Sequence, residues 1–267
     1  MNESVILAFA LTALAGLSTG IGSAIAFFSR RTNWAFLSVS LGFSAGVMIY
    51  VSLIEIFAKA RDALVATHGH LVGTWITVGA FFGGILVIAI IDRMIPAYEN
   101  PHEARAIEEM QHSLGRQRRL MRMGLVTALA IGIHNFPEGL ATFVGTLAEP
   151  AIGIAIAVAI AVHNIPEGIS VSVPIYFATG SRKKAFWLSF LSGVSEPIGA
   201  LIGYTILRSI FSETVFGVLF ATVAGIMVFI SLDELFPAAR EYGEGHLAIY
   251  GLICGMAVMA LSLLLFM

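Results

Sequence analysis

The sequence predicts an all-α integral membrane protein: a bundle of eight transmembrane helices in a 3+2+3 arrangement with an inverted repeat. Three observations carry that expectation. Hydrophobic residues make up 58% of the chain and charged residues only 12%, where a soluble domain is about 25% charged. The apolar residues fall into runs of roughly 20 or more, the length that crosses a bilayer as a helix. No run sustains the alternation expected of an outer-membrane barrel strand.

Eight runs qualify, near 4–28, 35–58, 71–91, 120–147, 150–177, 185–207, 215–237 and 246–267. The first lacks a basic leader and is longer than the apolar core of a removed signal, so it reads as a retained span. The segment 92–119, between the third and fourth runs, carries Pro96, Pro101, His102, Glu103, Glu108, Glu109 and His112 and reads as a polar loop. Residues 1–267 then form one integral membrane domain.

Basic residues orient the bundle. Arg30, Arg31, Arg93, Arg105, Arg116, Arg118, Arg119, Arg122, Arg182, Lys183, Lys184 and Arg240 all fall on one side of the membrane, and only Lys59, Arg61 and Arg208 on the other. The positive-inside rule therefore expects both termini outside and the 92–119 loop in the cytoplasm. The net charge of −2 offers no basic surface for nucleic acid. Cys254 is the only cysteine, which excludes a disulfide within the chain and argues against a thiolate metal cluster.

A repeat links the second and seventh spans. The segment 45–61 matches 224–240 at about half its positions, including Ser52-Leu53-x-Glu55-x-Phe57 against Ser231-Leu232-x-Glu234-x-Phe236. The two spans run in opposite directions, as expected of an inverted-topology repeat. Gly42-x-x-x-Gly46, Gly79-x-x-x-Gly83, Gly199-x-x-x-Gly203 and Gly251-x-x-x-Gly255 have the spacing that lets helices pack closely.

Two hexapeptides break the apolar pattern at the middle of spans four and five: His134-Asn135-Phe136-Pro137-Glu138-Gly139 and His163-Asn164-Ile165-Pro166-Glu167-Gly168. Polar groups at such depth are expensive and mark function. On a helix, residues four apart lie about 40° apart, so His134 and Glu138 share a face, as do His163 and Glu167. Asn135 and Asn164 lie within about 100° of their histidines. Each helix thus offers one nitrogen and two oxygen ligands, and the two faces together suit a divalent metal. Glu138 and Glu167 have enough oxygens to bridge two ions. Pro137 and Pro166 cannot donate to the carbonyls of Ile133 and Val162, so kinks are expected there.

Other polar residues are less specific. Glu196, before Pro197 in span six, is a further mid-span carboxylate; it reads as a ligand or as a structural hydrogen-bonding group. Glu55 and Glu234 sit near the outer and inner ends of their spans, where they either line the mouths of a cation path or are solvated at the interface; Asp233 accompanies Glu234. His68 and His70, like His102, His112 and His246, read as solvated side chains rather than as ligands.

These residues resemble the ZIP family of metal-ion transporters, with His-Asn-x-Pro-Glu-Gly twice and a long loop after span three. The resemblance extends over essentially the whole chain. It implies uptake of divalent metal into the cytoplasm through a two-metal site between spans four and five. His134, Asn135, Glu138, His163, Asn164 and Glu167 match its ligands, Glu196 matches a span-six carboxylate, and Glu138 and Glu167 would bridge both ions. Many members replace the first two residues of the span-five motif by Gln or Asp, whereas this chain keeps His163-Asn164 and so lacks a charge there. The histidine-rich inner loop of the family is reduced to His102 and His112.

The expected function is a secondary carrier or facilitator in the bacterial cytoplasmic (inner) membrane. No phosphate-binding loop suggests that ATP drives it. Imidazole and carboxylate ligands suit Zn(II), Fe(II), Mn(II), Co(II) and Cd(II) and disfavour dedicated Cu(I) transport. No prosthetic group is expected. The partners are the transported cations and the lipid bilayer, not nucleic acid, and assembly as a homodimer stays open. The rival readings are an intramembrane zinc-dependent hydrolase, opposed by the missing His-Glu-x-x-His pair, and a membrane metal sensor.

Overall fold

The chain crosses and recrosses itself as helix after helix. The computed structural model describes residues 3–28, 34–94, 114–207, 212–242 and 245–265, and no strand occurs among them. The side chains of His134 and Glu234 lie outside what is described, as do residues His102 and His112.

Helix α1 spans Glu3–Phe28, α2 Trp34–Tyr50, α3 Phe57–His68 and α4 His70–Met94. The two long central helices are α5, Leu114–Ala148, and α6, Pro150–Thr179. Then follow α7 (Arg182–Gly193), α8 (Ser195–Leu207), α9 (Glu213–Ile230), α10 (Phe236–Tyr242) and α11 (Leu247–Leu265). Among the described residues, seven helical runs are long and apolar enough to cross a membrane. The remaining run expected from the sequence, 120–147, lies in the 35-residue α5. This is an all-helical, multi-pass membrane protein.

Three boundaries differ from the sequence expectation. The loop expected over 92–119 is shorter at both ends, because α4 runs to Met94 and α5 starts at Leu114. The span expected at 35–58 continues to His68, because the amphipathic segment after Phe57 extends the same helix beyond its apolar part. The run 185–207 is broken at Val194 into α7 and α8. The break follows from Pro197, which has no N–H to return to the Gly193 carbonyl; Ser195 Oγ instead donates to Ser192 O at 2.6 Å.

The repeat seen in the sequence has a structural counterpart. Between α2 and α3 the backbone is π-helical over Val51–Ile56, and between α9 and α10 it is π-helical over Ser231–Leu235. The N–H of Phe57 donates to Ser52 O, and that of Phe236 to Ser231 O, so both Ser-Leu-x-Glu-x-Phe segments widen by the same extra residue.

Helix pairing obeys the same symmetry. α1 packs along α6 and α8 along α5, while α2 packs along α11 and α9 along α4. Exchanging the first three spans for the last three, and α5 for α6, turns each pair into its mate. The closest backbone approaches follow suit. A Cβ on Gly22 would meet the Ile165 carbonyl, and one on Gly199 the Phe136 carbonyl. Gly46 and Gly255 lie against the carbonyls of Leu252 and Phe43, as Gly225 and Gly84 lie against those of Phe81 and Thr222.

The expected close packing at Gly79-x-x-x-Gly83 is not made: no atom among the described residues lies near enough to touch a Cβ there. That stripe shares the outward face of α4 with exposed Trp75, Phe82 and Leu86. At the centre, Phe143 of α5 packs on Phe9 of α1 with ring centres 4.8 Å apart and on Tyr204 of α8 at 5.9 Å.

Candidate metal centre

The two hexapeptides lie where α5 and α6 cross. Both helices continue through their prolines, so Pro137 and Pro166 alter the local hydrogen bonding without ending either helix. Asn135, Glu138, His163, Asn164, Glu167 and Glu196 are all buried, none more than 1% exposed. Glu196 arrives from the first turn of α8, just after the break at Val194.

The asparagines take up mirrored positions. Asn135 Nδ2 donates to Ser192 O of α7 at 3.5 Å, and Asn164 Nδ2 donates to Ala15 O of α1 at 2.9 Å. Ala15 and Ser192 are equivalent in the repeat, each one turn before a residue whose carbonyl touches a motif glycine: Thr19 against Gly168, Glu196 against Gly139. With the nitrogens committed to backbone, the amide oxygens are left over. Neither Asn135 Oδ1 nor Asn164 Oδ1 has a hydrogen-bond partner among the described residues.

The acidic groups close the arrangement. Glu138 Oε2 lies 3.3 Å from His163 Nε2, joining the carboxylate of one motif to the imidazole of the other. Glu196 Oε1 accepts a short hydrogen bond from Asn164 Nδ2, and Glu138 and Glu167 are its charged neighbours. Glu138 Oε1 and Glu196 Oε2 are buried with no hydrogen-bond partner among the described residues. No lysine or arginine is buried among the described residues to offset these carboxylates. A buried carboxylate oxygen without a hydrogen-bond partner is costly, so Glu138 Oε1 and Glu196 Oε2 are chemically suited to a cation.

The described groups are not closed around an ion. Among them, no three His, Cys, Asp or Glu side chains are gathered tightly enough to hold a metal. Glu138 is turned toward His163 and Glu196 toward Asn164, so these contacts would have to be exchanged for ligation. His134 falls outside the described side chains.

The other sequence candidates are scattered. Half-buried Glu55 lies in the π-helical segment with Lys59 and Glu149 as its charged neighbours, and Lys59 Nζ is 3.6 Å from Glu149 Oε2. Glu149 lies at the α5–α6 junction, which places this cluster at one end of the central pair. Asp233 is exposed and has Asp92 as its charged neighbour at the opposite end; the Glu234 side chain is not described. His68 and His70 are exposed, with His68 Nε2 3.0 Å from Thr214 Oγ1, and His246 stacks on Tyr250.

The backbone carbonyls of Ala15 and Ser192, which hold the two amides, were not legible in the sequence. Neither residue carries a motif of its own. Their only signal is the register of the repeat, which emerges once the helices are paired.

Known proteins resemble this chain along its length. The family model described as ZIP Zinc transporter matches residues 93–263. The chain is 62% identical to the zinc transporter ZupT of Clostridium perfringens, over 99% of this chain and 97% of that protein. It is 64% identical to the zinc transporters ZupT of Streptococcus mutans and Chlorobaculum parvum, over the full length of both chains in each case.

Proposed function

Since the chain belongs to the ZIP zinc transporter family, we propose that it carries zinc into the bacterial cytoplasm through a binuclear site between α5 and α6. Iron, manganese, cobalt and cadmium dications would share the path. Family membership makes the chain a transporter and not an enzyme, which removes the intramembrane hydrolase as a reading. The whole chain acts as one transport domain of eight spans, with both termini outside.

The observation that carries this reading is the pair of buried carboxylate oxygens Glu138 Oε1 and Glu196 Oε2, which have no hydrogen-bond partner among the described residues, where no lysine or arginine is buried. A dication supplies the missing charge. His134, Asn135 and Glu138 from α5 would meet His163, Asn164 and Glu167 from α6, with Glu196 from α8. Glu138 and Glu167 would bridge two ions. The amide donors to Ser192 O and Ala15 O hold each Asn Oδ1 available as a ligand.

Transport then requires exchange of partners. An arriving dication replaces water with these ligands, and Glu138 gives up its contact with His163. Ligating groups must be deprotonated, so any proton on His163 leaves as metal binds. An inside-negative potential of 100 mV favours dication entry by about 4.6 kcal/mol, enough to drive uptake without ATP. Glu55 would attract cations at the outer mouth and Glu234 at the inner one.

The purified protein in liposomes containing a fluorescent zinc chelator tests the reading. The unaltered chain should give zinc influx that is lost in the Glu138→Ala, Glu167→Ala double variant. Tight zinc binding without influx would instead indicate a sensor.

A further inference from the structure

Among the described residues, every threonine hydroxyl except two has a hydrogen-bond partner. A helical threonine commonly donates its hydroxyl to the carbonyl one turn back. Thr12, Thr67, Thr74, Thr77, Thr146, Thr179, Thr205 and Thr222 all do so, at 2.6–3.0 Å. Thr214 is engaged with His68. Thr19 and Thr142 are fully buried, yet their hydroxyls have no hydrogen-bond partner among the described residues.

Both exceptions adjoin the candidate metal centre. Thr142 lies one turn after Glu138 on α5, on nearly the same face and about 6 Å further toward the Glu55–Lys59–Glu149 end. Thr19 lies on α1 beside the second motif. Its carbonyl is against Gly168, next in the chain to Glu167, and its side chain is against Gly193.

The repeat adds an independent argument for Thr19. Ala15 is equivalent to Ser192 as an amide acceptor, and Gly22 to Gly199 as a close-packed glycine. In the same register Thr19 is the equivalent of Glu196. On the α8 side that position carries a carboxylate, which Asn164 approaches. On the α1 side it carries a hydroxyl too short to meet Asn135 in the same way.

Resting on the uptake reading above, we propose that the hydroxyls of Thr19 and Thr142 are oxygen ligands to the passing cation, one at each end of the carboxylate cluster. Thr142 would take the ion between the outer mouth and Glu138. Thr19 would complete the half of the site that lacks a counterpart of Glu196. A hydroxyl is a hard, neutral oxygen donor, so it favours manganese and zinc over the softer cadmium without adding negative charge.

A purely structural role predicts no change in KM or metal preference. Replacing a buried hydroxyl that has no partner by a methyl group of the same shape is neutral or stabilising. The test is initial-rate metal influx in liposomes for Thr19→Val, Thr142→Val, Thr19→Ser and Thr142→Ser, with Thr77→Val as the back-bonded control. Zinc, manganese and cadmium serve as probes, and thermal stability in detergent is measured alongside.

Each valine variant should keep its stability, raise KM for zinc about fivefold and lower the manganese-to-cadmium influx ratio. The serine variants should restore both values, and Thr77→Val should match the unaltered protein. Unaltered KM and metal preference in both valine variants, with normal zinc influx, would overturn the inference and leave the uptake reading standing. Absence of zinc influx in the unaltered protein would overturn the uptake reading and this inference with it.

Discussion

The two hexapeptides are nearly the same sequence, yet they occupy different surroundings. The α6 copy lies against α1, and its Asn164 reaches both the Ala15 carbonyl and the Glu196 carboxylate. The α5 copy lies against α7 and α8, and among the described residues its Asn135 donates to the Ser192 carbonyl. Backbone symmetry is close, down to the glycines and the amide acceptors. Chemical symmetry is lost at the register position that carries Glu196 on one side and Thr19 on the other. A duplicated motif thus specifies the scaffold of a site, while the helices that flank it decide how its two halves differ.

The symmetric part of this comparison is open to the strongest attack. Glu138→Gln and Glu167→Gln should each reduce zinc influx into liposomes by about a hundredfold, because each leaves the remaining carboxylates without their shared cation site. Losses that differ by more than tenfold between the two variants would break the equivalence of the motifs.

Backbone contact is the next test. Gly139→Ala and Gly168→Ala place a Cβ against the carbonyls of Glu196 and Thr19, where no flexible side chain can yield. Each should cost about 1–3 kcal/mol of stability, measured by thermal unfolding in detergent. Gly79→Ala, with open space around it, should cost nothing.

The asymmetric part gives a smaller effect. Asn164→Asp replaces a donor to Glu196 with a second carboxylate, whereas Asn135→Asp faces a backbone carbonyl. Zinc influx should fall about tenfold further in Asn164→Asp than in Asn135→Asp. Equal losses would show that Glu196 does not distinguish the halves.

The smallest effect belongs to the periphery. Glu55→Gln should raise KM for zinc about twofold at low ionic strength and leave it unaltered at high salt, because a charge at the rim of the path acts by screened attraction. An unaltered KM at both ionic strengths would remove Glu55 from the cation path.

Legibility in the sequence tracks the kind of force involved. Hydropathy located the helices because burial in lipid needs long apolar runs. Duplicated His, Asn and Glu stood out against that background, and the structure gathers Asn135, Glu138, His163, Asn164, Glu167 and Glu196 into one buried region. The Ser52 and Ser231 segments betrayed the repeat, but not its π-helical turns, which depend on hydrogen-bond phase rather than on composition. Pro197 marked a break that apolar continuity concealed. Gly79 and Gly83 have the spacing of packed glycines yet face outward, since spacing does not say which face of a helix is covered. The idle hydroxyls of Thr19 and Thr142 were invisible, because a rotamer is chosen by neighbours distant in the chain.

The central claim is that one cation site is shared by the two motifs. Anomalous diffraction at the zinc edge from crystals grown with zinc tests it most directly. The account predicts anomalous density between α5 and α6, with oxygens of both Glu138 and Glu167 at about 2.0–2.2 Å from zinc. Zinc bound only at surface histidines such as His68 and His70, with none between these helices, would contradict it.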